Sequence, residues 1–351
     1  TTLALNILSE GLTDAMASPR VKVDVDVEAD EQAASSVEPA TPEHTEEENE
    51  VLGATDDETA HRLLIESLTA LRAAELSRPE RTPADDTSAP LLEVQDLRVS
   101  FPEAHGEVDI LDGISFQVRP GETMGLVGES GSGKTTIGRA IAGLTTATGG
   151  SLDVLGCEMV GVREKTFKPL RKRIGFVFQD PAASFNPQLT IGQCIEEPFA
   201  VHRGSMSDAE RRQEVLSLLD AVQLPTEYAD RYPHELSGGQ RQRASLARGI
   251  ALDPELLVAD EPTSALDVSV QAKVLELFRE LQDRLGFAAV FISHDLAVVD
   301  MLSDRIGVLY RGELLENGTG EQVLTRPDHD YTRRLIASLP VPDPVEQEQR
   351  R

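Results

Sequence analysis

Short apolar runs alternate with helical patterns along the chain from residue 91 onward. β-Branched and aromatic residues give two segments the pattern of strands, and four further apolar runs are typical of strands covered on both faces. These six segments are LLEVQDLRVSF, ISFQV, ETMGLVG, IGFVFQ, ELLVAD and AAVFIS. Strands that alternate with helices indicate an α/β layer architecture. Residues 189–250 have a mainly helical pattern, and we interpret them as a helical subdomain.

Charge divides the chain near residue 90. The first 90 residues hold 21 acidic and 6 basic side chains, whereas the rest hold 40 and 27. High charge without aromatic residues or a long helical period predicts a disordered acidic linker over residues 21–90. Near 61–76 three leucines share one helical face, which predicts a short helix that is solvated or weakly docked. A folded domain is then expected at 91–325, with a C-terminal extension at 326–351.

Composition narrows the class of protein. Hydrophobic residues make up 40% of the chain, which excludes wholesale disorder. The net charge of −28 argues against a protein that coats nucleic acid, because that role needs basic surface. The chain has 2 cysteines, too few for a disulfide framework or an all-cysteine metal site, so we expect a reducing compartment. No apolar run approaches the roughly 18 to 20 residues of a membrane span.

The segment GESGSGKT, Gly128 to Thr135, lies between a predicted strand and a predicted helix and matches the phosphate-loop pattern G-x-x-x-x-G-K-[ST]. Glycines let backbone N–H groups turn toward phosphate oxygens, and the helix N-terminus adds partial positive charge. Lys134 would supply charge to the outer phosphates, and Thr135 a hydroxyl ligand for Mg²⁺. The alternative is a glycine-rich turn that binds nothing. The predicted nucleotide-contacting residues are Gly128, Glu129, Ser130, Gly131, Ser132, Gly133, Lys134, Thr135 and Thr136, the last serving mainly the helix.

A second motif, LLVADE at residues 256–261, is an apolar strand that ends in two carboxylates. An unpaired buried carboxylate is costly, so the pattern points to a cation at the carboxyl end of this strand. Asp260 would hold Mg²⁺ through water, and Glu261 would act as general base toward the attacking water. Alternatively, the pair is an exposed strand end that caps the next segment.

The segment LSGGQRQR, Leu236 to Arg243, places a serine and two glycines at the start of a helix, which makes a second anion-binding N-terminus. Together with Gln179, the SALD segment at 264–267 and His294, it resembles the ATP-binding subunits of ABC transporters. The resemblance covers about Leu91 to Pro340. It implies an α/β fold with a phosphate-loop NTPase core, a mostly parallel sheet flanked by helices, together with an antiparallel β subdomain and a helical subdomain.

The resemblance also implies roles for individual residues. His294 would contact the γ-phosphate and hold the attacking water, Gln179 would bind Mg²⁺ and water, and both would join Glu261 in a catalytic set. Gln179 as a surface residue and His294 as a structural one are the alternatives. Phe101 would stack on adenine, unless it is only a core or edge aromatic. The residues implied to complete the site of a second subunit are Ser237, Gly238, Gly239, Gln240 and Asp267, and the implied metal set is Thr135, Gln179 and Asp260.

ATP and Mg²⁺ are the implied substrate and cofactor. A second ATPase subunit, identical or a paralogue, would share the nucleotide, and hydrolysis would let the dimer reopen. Permease subunits would be the membrane partners, a solute-binding protein would act indirectly, and no nucleic acid is expected. A groove between the Gln179 loop and the helical subdomain, including Phe185, would receive a permease helix. The chain would work at the cytoplasmic face of the cell membrane, peripheral or tethered by fusion to a permease.

Two segments resemble one subfamily of these ATPases. FQDPAASFNP at 178–187 is similar to a loop of peptide and nickel importers, and DHDYTRRLIASLP at 328–340 is similar to their C-terminal extension. This tail has no cysteine, which excludes the iron–sulfur motif that some relatives carry there. Import of di- or oligopeptides is the expected function, with nickel or another small solute as the alternative. A non-transport ABC-type ATPase is disfavoured, because long coiled-coil, zinc or second-cassette insertions are absent.

Residues 3–20, LALNILSEGLTDAMASPR, resemble the final cytoplasmic residues of a peptide-importer permease. We expect a natural fusion in which residues 1–20 are a permease tail and residues 21–90 tether the ATPase. A flexible tether of some 70 residues reaches about 45 Å, enough to join a membrane exit to a docked ATPase. The alternative is an unrelated acidic extension.

Overall fold

A computed structural model describes residues 88–337 of the chain, except 104, 105 and 265. The expected permease tail at 1–20, the linker with its helix near 61–76, and the end of the C-terminal extension lie outside the described residues. Within the described part, no helix combines the length and the apolar character that a membrane span requires.

Strands and helices alternate along the described residues. The strands are β1 (Leu92–Glu103), β2 (Gly106–Val118), β3 (Thr123–Val127), β4 (Gly149–Val154), β5 (Cys157–Glu158), β6 (Ile174–Val177), β7 (Leu256–Asp260), β8 (Ala288–Ser293), β9 (Arg305–Tyr310) and β10 (Glu313–Thr319). The α-helices are α1 (Lys134–Ile141), α2 (Glu164–Phe167), α3 (Pro181–Ser184), α4 (Ile191–His202), α5 (Asp208–Ala221), α6 (Gly238–Ile250), α7 (Val268–Leu285), α8 (Leu296–Leu302), α9 (Gly320–Thr325) and α10 (Asp330–Ala337). Helices α4, α5 and α6 fall within residues 189–250, the helical subdomain that the sequence pattern predicts.

Two sheets organise these elements. The larger sheet has the strand order β10-β9-β3-β8-β7-β6, and all its neighbours are parallel except β10 and β9. The smaller sheet is antiparallel, with the order β2-β1-β4-β5. The fold is therefore an α/β phosphate-loop core with an antiparallel β subdomain.

The central strands β3, β7 and β8 are buried at every position because both faces of the sheet are covered. Successive side chains of a strand point to opposite faces. On one face Leu126 and Val290 pack into a core shared with β1, β2 and α1. On the other, Val127 and Phe291 pack into a core shared with the helices α4 to α7.

Strand β6 differs from its neighbours. The sequence predicted coverage on both faces, yet half-buried and buried positions alternate along it. The reason is its place at the edge of the sheet, where it pairs only with β7 in the described structure.

The parallel strands end at one edge of the sheet and bring the predicted motifs together there. Gly128 follows β3, Glu261 follows β7 and His294 follows β8, while Gln179 lies two residues beyond β6. Ligands of open α/β sheets bind at this carboxyl edge.

Candidate active site

The loop between β3 and α1 is shaped by glycines at its two ends. Gly133 is the N-cap of α1 with φ 104°, a left-handed conformation that a side chain would strain. A Cβ on Gly128 would lie 2.1 Å from the carbonyl oxygen of Leu309, so the loop can approach β9 only without a side chain. The first turn of α1 presents backbone N–H groups without intrahelical partners to this loop. The loop is therefore built as an anion cradle.

Lys134 places a cation inside this loop. Its side chain is 4% exposed, and Nζ donates hydrogen bonds to the carbonyl oxygens of Gly128 and Glu129, both at 2.8 Å. Burial lowers the pKa of Lys134, and the nearby carboxylates of Glu261 and Asp260 oppose that shift. The ammonium is poorly solvated here, and it gains from any anion that enters the loop.

Thr135 and Asp260 form a polar pair next to the loop. The Thr135 hydroxyl donates to Asp260 Oδ1 at 3.0 Å, and Asp260 is 2% exposed. Burial raises the pKa of Asp260, while the Thr135 hydrogen bond acts against the increase. The structure thus brings two of the three predicted Mg²⁺ ligands into direct contact, and one of them is a buried carboxylate.

The other two predicted catalytic residues, Gln179 and His294, both contact the Glu261 carboxylate. Gln179 Nε2 donates to Glu261 Oε2 at 2.9 Å, and His294 Nδ1 lies 3.4 Å from the same oxygen. The Glu261 side chain is 13% exposed and that of His294 57% exposed, so the cluster has an open side. An amide and an imidazole that orient one carboxylate form a geometry suited to general-base chemistry on water.

The backbone of Glu261 is itself constrained. Its φ is 42°, in the left-handed region that few non-glycine residues adopt. The Glu261 N–H donates to the carbonyl oxygen of Ile292 at 3.0 Å, and Ser264 N and Oγ donate to the Glu261 carbonyl at 3.3 and 3.2 Å. Strained backbone of this kind is retained where surrounding structure holds it, which is common at active sites.

The second anion-binding motif begins helix α6. The exposed Ser237 is its N-cap, and its hydroxyl accepts from Gln240 N at 3.4 Å while Gln240 Oε1 accepts from Ser237 N at 2.9 Å. Gly239 is buried, and a Cβ there would lie 2.3 Å from a Val270 methyl group. Within the described part of the chain, no hydrogen bond or ion pair joins Ser237 to the phosphate loop.

Within the described residues, no hydrogen bond or ion pair joins Phe101 or Asp267 to Glu261. Phe101 is on β1 opposite Val108 and is 44% exposed, which leaves its ring available to a ligand. Asp267 precedes α7, is exposed and makes no side-chain cap with that helix.

The backbone of Glu129 contacts a residue far along the chain. The phosphate-loop motif predicts that this residue contacts the nucleotide, and in the structure its N–H donates to the hydroxyl of Tyr331 at 3.1 Å. Tyr331 lies 202 residues further along the chain, so no local pattern could have predicted the contact.

Arg248 is a second residue that sequence reasoning missed. From α6 it donates to the carbonyl oxygen and the hydroxyl of Ser184 at 2.7 and 2.8 Å, and its guanidinium lies 4.5 Å from the centre of the Phe185 ring. Burial lowers its pKa. The helix that begins at Ser237 is thereby fastened to the segment that follows Gln179. A lone arginine in the apolar stretch SLARGIAL was the available signal.

This geometry defines a phosphate-loop ATPase. Comparison with known proteins narrows the class: the sequence model of the ABC transporter family matches residues 111–264. The chain belongs to the ABC transporter family, as an ATP-hydrolysing cassette.

Two relatives and one solved structure illustrate the match. The oligopeptide transport ATP-binding protein OppF of Escherichia coli (strain K12) is 44% identical over 263 residues, covering 72% of this chain and 79% of that protein. The protein of the same name from Bacillus subtilis (strain 168) is 46% identical, covering 72% and 84%. The dimeric post-hydrolysis structure of the ATP-binding cassette MJ0796 bound to ADP and Pi has a TM-score of 0.61 at 30% identity, covering 65% of this chain and 98% of that one.

Proposed function

We propose that this chain hydrolyses ATP at the cytoplasmic face of a membrane to power an ABC importer for di- or oligopeptides. The observation that carries the hydrolytic part is the convergence of Gln179 and His294 on the Glu261 carboxylate. Relatives that are 44 to 46% identical and named for oligopeptide or dipeptide transport support the choice of peptides over nickel.

The residues present fit ATP with Mg²⁺. The Lys134 ammonium and the N-terminus of α1 suit the phosphates, and the paired Thr135 and Asp260 oxygens are the hard ligands that Mg²⁺ prefers. Gln179 would complete the protein ligands. No cluster of three or more His, Cys, Asp or Glu side chains able to hold a metal occurs in the described residues. Bound at Thr135, Asp260 and Gln179, Mg²⁺ would neutralise phosphate charge.

In the proposed hydrolysis, Glu261 is the residue that accepts the proton of the attacking water. As water attacks the γ-phosphorus, Glu261 accepts a water proton, and the bond from that phosphorus to the β–γ bridging oxygen breaks to give ADP and phosphate. Gln179 and His294 orient the carboxylate and the water, and Lys134 holds the charge of the outer phosphates. Phe101 would support the adenine with its exposed ring.

A head-to-tail dimer is the second part of the proposal. The exposed Ser237 is the N-cap of a 13-residue helix, and no hydrogen bond within the described residues joins Ser237 to its own phosphate loop. Such an N-terminus suits the phosphates of a neighbouring subunit. Ser237, Gly238, Gly239 and Gln240 of one subunit would complete the site of the other, with Asp267 at the seam. The dimeric structures of the MJ0796 cassette support this arrangement.

Mixing two inactive variants tests the dimer. A Lys134→Ala chain has a weakened loop, and a Ser237→Arg chain lacks a working helix N-terminus, so each alone should release little phosphate at an ATP concentration near the wild-type KM. A mixed dimer joins the intact loop of one chain to the intact helix of the other, and the mixture is expected to regain part of the phosphate release. Activity that stays absent in the mixture would contradict the shared site.

Uptake measurements test the substrate. The full chain, reconstituted in proteoliposomes with the permease and solute-binding proteins of its operon, is expected to take up labelled di- or oligopeptides in an ATP-dependent way. Glu261→Gln in the same preparation serves as the inactive control. Uptake of ⁶³Ni²⁺ without peptide uptake would replace the peptide proposal by the nickel alternative.

A further inference from the structure

The beginning of helix α10 is fastened to the body of the domain. Tyr331 is 4% exposed, and its ring packs on that of Tyr310 with the ring centres 4.4 Å apart. The His329 N–H donates to a carboxylate oxygen of Glu316 on β10 at 2.8 Å. Arg333 Nη2 donates to two carbonyl oxygens of the preceding turn. This segment is therefore docked firmly enough to hold the Tyr331 hydroxyl in a fixed place.

The Tyr331 hydroxyl contacts the phosphate loop, although Tyr331 is not part of that loop. It accepts a hydrogen bond from Glu129 N at 3.1 Å. The Gly128 carbonyl, which belongs to the same peptide unit, accepts from Lys134 Nζ at 2.8 Å. Because a peptide unit is planar, with its C=O and N–H pointing in opposite directions, Lys134 and Tyr331 hold this unit from its two sides.

The two hydrogen bonds on this peptide unit are important because Gly128 can rotate freely. Glycine has no side chain to restrict rotation, so the peptide unit after it can turn at little steric cost. A turned unit would withdraw the Gly128 carbonyl from Lys134 and disorder the cradle at its first residue. Burial raises the pKa of Tyr331, so its hydroxyl stays protonated at neutral pH.

We propose that Tyr331 is a positioning residue for the phosphate loop, through which the C-terminal segment keeps the Gly128–Glu129 peptide in the orientation that binds ATP. The inference rests on the proposed ATPase function of the same loop. It makes nucleotide affinity dependent on a residue outside the loop and outside the catalytic set.

The test compares Tyr331→Phe with Tyr310→Phe in the full chain. Each variant removes one hydroxyl from the same ring pair and keeps the ring, but only Tyr331→Phe removes the bond to Glu129. We expect the KM and the Kd for ATP to rise roughly two- to tenfold in Tyr331→Phe, the range for one hydrogen bond, with kcat retained. In the nucleotide-free protein, hydrogen exchange at the Glu129 N–H should become faster in that variant alone.

The inference requires both the weaker ATP binding and the faster hydrogen exchange at the Glu129 N–H in Tyr331→Phe. The inference is overturned if ATP affinity, or exchange at Glu129, is the same in Tyr331→Phe as in Tyr310→Phe. A common loss of thermal stability in the two variants would not mimic the expected result, because their difference is the readout. A wild-type chain that binds ATP without hydrolysing it would contradict the proposed function, and the binding and exchange comparison would still decide the role of Tyr331.

Discussion

Glu261→Gln is expected to lower the ATP turnover number by roughly 10²- to 10⁴-fold, because an amide cannot accept the proton that the attacking water gives up. Glutamine has nearly the shape of glutamate, so the neighbouring Gln179 and His294 can keep their places. ATP should still bind, since neither Lys134 nor Thr135 is changed. In the proposed dimer the unhydrolysed nucleotide then holds two subunits together. Steady-state phosphate release and gel filtration with ATP measure the two effects.

Glu313→Gln is the matched control for this variant. Glu313 begins β10, is exposed, and its side chain forms no hydrogen bond or ion pair with the Glu261 cluster in the described residues. The same chemical change there should leave turnover and the oligomeric state at wild-type values. Full turnover in Glu261→Gln would remove Glu261 from the role of general base and would leave the cluster around it without a catalytic function.

The site could be predicted where its residues are consecutive in the chain. The loop from Gly128 to Thr135 and the strand end at Asp260 and Glu261 each form one uninterrupted segment, and the chemistry of each explains its own residue types. The contact of Thr135 with Asp260 follows once both segments are placed at the carboxyl edge of one sheet. Local patterns were sufficient here because parallel strands bring their ends together.

The missed contacts depend on tertiary packing. Arg248 reaches a residue 64 positions away, and Tyr331 reaches one 202 positions away. Neither contact has a period or a spacing that distinguishes it from ordinary helix packing.

Local sequence patterns also failed to predict the edge strand β10, because that strand depends on pairing with a neighbour. Strand β10, with the sequence ELLENGT, has half-buried and exposed positions, and its Glu, Asn and Gly residues have low strand propensity. It is a strand because it pairs antiparallel with β9, which local propensity cannot indicate. The strands β3, β7 and β8 could be predicted from their apolar runs, because a strand buried on both faces carries apolar side chains on both.

Lys134→Ala is expected to weaken ATP binding by about 10- to 150-fold, the range for loss of a charge-assisted contact worth roughly 1.5 to 3 kcal/mol. The Lys134 ammonium is 4% exposed and its nearest acceptors are carbonyl oxygens of its own loop, so phosphate is the strong partner that it lacks. Titration with a fluorescent ATP analogue gives the affinity. Turnover should fall as well, because the outer phosphates lose the cation that holds them.

Thermal unfolding separates this binding defect from a folding defect. Lys134 Nζ bonds carbonyl oxygens of its own loop, so its removal should disturb that loop and leave the rest of the nucleotide-free fold in place. The stabilisation that ATP gives depends on the ratio of its concentration to Kd and should largely disappear in the variant. Lys168→Ala, at an exposed lysine outside the loop, should keep both the affinity and the ATP-dependent shift. Wild-type affinity in Lys134→Ala would mean that the loop binds something other than a triphosphate.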